Sequence, residues 1–68
     1  STMMTIYGML APEDTSAGYN LALDDDWYAV LLEKDQVIAR FDPRDYTTVE
    51  LQTEVEKLLQ VKRSDQAA

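Results

Sequence analysis

Cysteine and histidine are both absent from this 68-residue chain, which removes disulfides, Cys/His zinc sites and the side chains most often used as catalytic base or thiol nucleophile. Two common aids to the stability of a very small domain are therefore missing, and oligomerisation is the remaining one. Glycine and proline number two each, and neither a Gly-rich phosphate loop nor a nucleophile elbow can be assembled from them. Proton transfer would fall to carboxylates, lysines or tyrosines, so no enzyme and no cofactor are expected. No apolar run approaches the roughly 20 residues of a membrane helix, and no basic segment followed by an apolar stretch opens the chain. A soluble, cytoplasmic protein is the expectation, and the lack of cysteine fits a reducing compartment. Ser1 and Thr2 precede Met3 and Met4 and read as an added leader ahead of a native start.

Positive charge is also scarce. The net charge is −7, and it is concentrated between Ala11 and Asp35, where Glu13, Asp14, Asp24, Asp25, Asp26, Glu33 and Asp35 face only Lys34. Such a field repels phosphates and attracts cations, so direct nucleic-acid binding is disfavoured and a basic protein partner is favoured.

What the chain does have is a run of short β-favouring segments from Tyr19 to Phe41. Pairing Leu32 with Val37 across the Glu33–Gln36 turn brings Val30 opposite Ala39 and Tyr28 opposite Phe41. Pairing Leu23 with Tyr28 across Asp24, Asp25 and Asp26 brings Leu21 opposite Val30 and Tyr19 opposite Leu32. Both registers give one wholly apolar face, and a one-residue slip would turn each strand over, so the agreement predicts a meander. Met4 to Leu10 reads as an earlier strand in which Gly8 hints at a bulge. Ala11 to Gly18 has turn-forming composition and reads as a mobile loop.

Asp42 and Pro43 end the last strand. Thr47 and Glu50 then match a capping box, and Leu51, Val55, Leu58 and Leu59 lie on one side of the helix that follows. Lys57, Lys62 and Arg63 complement its C-terminal dipole, and the helix is expected to stop near Val61. The predicted fold is α+β: a three- to four-stranded antiparallel meander with one C-terminal helix packed on one face. It forms a single small domain over residues 4–61, with a flexible tail over 62–68.

One helix covers one face. On these registers the other face carries Trp27, Leu31 and Ile38, with Ala29 between, and a contiguous apolar patch in water calls for a cover. A homodimer using Trp27, Leu31 and Ile38 is the economical answer, with the N-terminal strand as the alternative cover.

The acidic residues Glu13, Asp14, Asp24, Asp25 and Asp26 are the candidate partner-binding set. The aspartate run lacks the alternating acids, Gly and terminal Glu of a calcium loop and reads as a solvated turn, so no metal site is expected. Arg40 has two readings, a ligand carboxylate or the indole of Trp27 on one hand, and a salt bridge to Asp24 or to a dimer mate on the other. The second is favoured because no convergent pocket is implied.

Asp24, Asp25, Asp26, Tyr28, Ala29 and Val30, followed by Thr48 and Glu50 at the helix start, resemble the antitoxin domain of HicB-type toxin–antitoxin pairs over about half of the chain. The Pro- and Gly-containing turn between the second and third strands of that family is absent, as is any final strand or DNA-binding extension, and no functional residue is carried over. The expected function is a small acidic, non-enzymatic interaction or regulatory protein, homodimeric, that binds a basic partner. The resemblance implies one alternative, an antitoxin-like inhibitor of a nuclease. A small ligand-binding protein or enzyme with a site between subunits is the alternative from another class.

Overall fold

A computed structural model describes residues 4, 5 and 8–67. The elements run β1 (Met4–Thr5), α1 (Pro12–Ser16), β2 (Tyr19–Leu23), β3 (Ala29–Glu33), β4 (Gln36–Phe41), a 3-10 turn (Pro43–Asp45) and α2 (Thr48–Ala67). The four strands form one antiparallel sheet in the order β1-β2-β3-β4. This is the expected meander, with α2 packed on one face of it through Leu51, Val55 and Leu59.

Two local signals operate as read. The amide of Thr47 donates to Glu50 Oε1 at 2.8 Å while the Glu50 amide donates to Thr47 Oγ1 at 3.1 Å, which closes the capping box. The β3–β4 hairpin turns at Lys34 and Asp35, with Leu32 opposite Val37. Both turn residues have positive φ, 48° and 68°, matching the right-handed strand twist at a steric cost that Asn-Gly would avoid. Replacing Lys34 with Asn and Asp35 with Gly together is expected to raise the melting midpoint by about 5 °C, read by circular dichroism.

The register past these landmarks differs from the expectation in two places. Ala39 lies opposite Leu31 while Val37 stays opposite Leu32, so Ile38 is an extra residue in β4, a bulge. Ile38 and Ala39 consequently both pack on the helix side, which an alternating pattern does not allow. Across β2 and β3, Leu21 pairs with Leu31 and Leu23 with Ala29, one residue away from the predicted pairs. The helix-facing core is therefore Tyr19, Leu21, Ala29 and Leu31 with Leu51, Val55 and Leu59, flanked by Ile38, Ala39 and Phe41. Val30 lies instead on the other face, buried with Ala22 and Leu32.

These shifts correct the proposed dimer residues. Leu31 has no exposed surface at all, since it sits under α2, and Ile38 is half-buried in the same cluster. Of the three, Trp27 alone is exposed. The N-terminal strand does not cross the second face in the described residues either: β1 extends the sheet beside β2, with Met4 opposite Leu23 and Thr5 opposite Ala22. Ile6 and Tyr7 of the predicted strand lie outside the described residues.

Two further expectations are revised. The segment read as a mobile loop contains α1, with Pro12 at its first turn where no amide hydrogen is needed. Helix α2 continues to Ala67 rather than stopping at Val61. Lys62 and Arg63 are accordingly not in its last turn, and their charges are used laterally: Lys62 Nζ pairs with Glu33 at 3.3 Å and Arg63 Nη2 with Asp14 at 2.6 Å. Gln66 also reaches back, donating to the Tyr19 hydroxyl at 3.2 Å.

Candidate functional site

The β2–β3 loop explains the register shift and holds the most unusual residue of the fold. The Asp24 amide donates to the Tyr28 carbonyl at 2.9 Å, which leaves Asp25, Asp26 and Trp27 as a three-residue loop. The Asp24 carboxylate organises it by accepting from the amides of Asp26 and Tyr28 through Oδ1, both at 2.9 Å. A hairpin of this length needs left-handed backbone at its third loop position, which is ordinarily glycine. Here that position is Trp27, at φ 64°. A bulky side chain there is a conformational outlier, and 64% of Trp27 is exposed as well.

Asp24, one of the expected partner-binding acids, is thus also a turn-forming residue. Its other oxygen accepts from Arg40 Nε at 3.0 Å, and Arg40 Nη2 approaches Asp26 at 3.4 Å. Burial works against the Asp24 charge, but the Tyr28 amide, the Arg40 guanidinium and the Asp26 amide together hold its pKa below the usual carboxylate value. The guanidinium carbon of Arg40 also lies 3.9 Å from the centre of the Tyr28 ring. Of the two readings of Arg40, the salt bridge to Asp24 is the one formed, and the ring it stacks on is Tyr28 rather than Trp27.

Next to the loop, Asp42 caps the 3-10 turn by accepting from the Arg44 amide at 3.0 Å. Its carboxylate also accepts from the Arg44 guanidinium, from Nε at 3.0 and 3.2 Å to its two oxygens and from Nη2 at 2.6 Å, and the guanidinium lowers its pKa to about 2. Arg44 is raised in return by the same carboxylate. Asp26, Trp27, Tyr28, Asp42, Pro43 and Arg44 line a shallow cleft of about 250 Å³.

The acidic set does not assemble into one surface. Glu13 is exposed on α1, and Asp14 is 4% exposed and held by both Nε and Nη2 of Arg63. These two lie at one end of β2 and Asp24 to Asp26 at the other, roughly 15 Å apart along a five-residue strand. Only Asp25 and Asp26 present exposed carboxylates beside the indole. Among the described residues no group of three or more acidic, His or Cys side chains is arranged to hold a metal ion, and no helix is long and apolar enough to cross a membrane.

A second polar cluster closes the opposite end of the core. The Tyr19 hydroxyl donates to Glu33 Oε2 at 2.9 Å. Burial first, and then the Glu33 carboxylate, push the Tyr19 pKa up, while Tyr19 and Lys62 hold that of Glu33 down. With Gln66 and Lys62 reaching it from α2, this cluster ties the helix to the sheet.

Sequence reasoning places Trp27 on a sheet face and misses its display at the loop tip. The signal is present in part: an odd loop length follows if Asp24 is a turn-forming aspartate, as its type favours. Comparison with protein-family models, curated proteins and solved structures gives no match for this chain.

Proposed function

We propose that the protein is a small, non-enzymatic interaction protein that binds a basic partner through the Asp25–Trp27 loop tip. The observation that carries this reading is Trp27 itself, an indole mostly in solvent at a backbone position that costs about 1–2 kcal/mol for any side chain. Lys34 and Asp35 share this backbone strain in an ordinary turn, so what sets Trp27 apart is a large exposed indole at such a position. Strained residues cluster at binding sites, and tryptophan is among the residue types enriched in binding hot spots. Asp25 and Asp26 immediately precede the indole and supply the field that steers a cationic partner. A nuclease-blocking inhibitor is a special case, defined by its partner. Glu13 and Asp14, at the far end of β2, are not part of this tip, and a homodimer is not required by it; one would need residues other than Leu31.

The test separates binding from folding. Trp27→Gly relieves the strain and is expected to raise the melting midpoint by about 5 °C. The same variant is expected to bind a fluorescein-labelled peptide of alternating Lys and Arg at least about fivefold more weakly by fluorescence anisotropy, as loss of one anchor residue predicts. Parent binding should weaken as salt rises. Equal binding by parent and variant, or no binding by the parent at low salt, would remove the proposal.

A further inference from the structure

The fold already contains one instance of cation recognition at this loop. Arg40 lays its guanidinium 3.9 Å from the centre of the Tyr28 ring while Asp24 accepts from its Nε at 3.0 Å. Stacking and carboxylate pairing act on the same planar group at once. A guanidinium permits this combination because its faces are weakly hydrated and its donors lie in the ring-parallel plane; an ammonium, a compact and strongly hydrated point charge, does not.

The outer half of the loop repeats that pairing of aspartate with aromatic ring. Asp26 and Trp27 line the cleft between the loop and the 3-10 turn, with Pro43 as its other apolar wall and Tyr28, whose hydroxyl interacts with Asp42 and Arg44, as a polar one. Of its charged lining groups, Asp42 and Arg44 neutralise each other through a 2.6 Å contact. Asp26 is left as the group that sets the sign of the cleft, since its side chain is 78% exposed and its contact with Arg40 is a long one, at 3.4 Å. The cleft is therefore weakly negative, has an indole wall that the described residues leave mostly open, and is large enough for a single side chain.

We infer that this cleft takes an arginine side chain of the basic partner, with the guanidinium on the Trp27 indole and paired to Asp26, in preference to lysine. The inference rests on the loop-tip reading above and specifies the chemistry of its partner. It differs from charge steering alone, which treats Arg and Lys alike.

Two labelled peptides of equal length and charge, one of arginine and one of lysine with intervening glycines, are titrated against the full chain by fluorescence anisotropy. The parent is expected to bind the arginine peptide about three- to tenfold more tightly, the range that one cation–π contact supplies. In Trp27→Gly and in Asp26→Asn that ratio should fall to about one, with the lysine peptide much less affected by loss of the indole. Thermal melts of both variants confirm that they are folded. Equal affinity for the two peptides in the parent overturns the arginine preference and leaves the loop-tip reading standing. A preference that survives in Trp27→Gly also overturns it, because the selectivity then lies elsewhere. Binding of neither peptide overturns both.

Discussion

Leu31→Lys is expected to abolish cooperative folding. Leu31 is wholly inaccessible and packs with Leu21, Leu51, Val55 and Leu59 at the centre of the interface between sheet and helix. An ammonium placed there has no carboxylate to pair with, and its burial costs several kcal/mol or more against the roughly 5 kcal/mol stability of so small a domain. Leu31→Met, which conserves volume, should cost less than about 1.5 kcal/mol and retain a sharp transition. The comparison by circular dichroism melting decides between two registers. Under the pairing read from the sequence, the introduced ammonium would face solvent or a partner and leave the fold intact. A folded Leu31→Lys protein would therefore restore that pairing and overturn the observed one.

The second large effect concerns a contact between residues 49 positions apart. Asp14 is buried, and both its oxygens accept from the Arg63 guanidinium, at 3.1 and 2.6 Å. Arg63 in turn reaches Glu56 at 2.7 Å. The pair is unequal: 41% of the Arg63 side chain is exposed against 6% of Asp14, so solvent screens the cation and not the anion. Removing the cation strands the carboxylate. Arg63→Met is expected to lower the melting midpoint by roughly 10 °C, because an uncompensated buried charge is far more damaging than the loss of an exposed pair. Replacing Asp14 with Leu in the same chain should recover most of the loss. A midpoint for Arg63→Met within about 2 °C of the parent would mean that water reaches Asp14 and that the pair contributes as a surface bridge does.

The parts of the fold that can be read in advance are those set by neighbours in sequence. Thr47 and Glu50 sit three apart and satisfy each other's amides, so the start of α2 follows from the local chemistry. The Lys34–Asp35 turn is placed by the apolar residues on both sides of it. The faces are harder. An alternating pattern fixes them only if each loop and strand has the assumed number of residues, and Ile38 and Trp27 each break the count by one. Neither residue type announces a bulge or a left-handed turn; glycine would have. The end of α2 and the order of α1 depend on Lys62, Arg63 and Gln66 reaching Glu33, Asp14 and Tyr19. Those distant pairings leave no periodic mark in the chain. As to the candidate site, the acidic loop is legible from composition, whereas the placement of its indole follows from the loop length and not from any motif.

The extra residue in β4 has a consequence for the chain among its copies. β4 closes one side of the sheet, and among the described residues no strand pairs with its outer edge. A regular edge of six residues would offer a row of amides and carbonyls in constant phase, on which another molecule could crystallise its own strand and be copied in turn. The bulge at Ile38 interrupts that phase after two residues, and Arg40 adds a charge to the remaining stretch. The inserted isoleucine that fills the core from one side thus makes the free edge a poor seed for polymer growth.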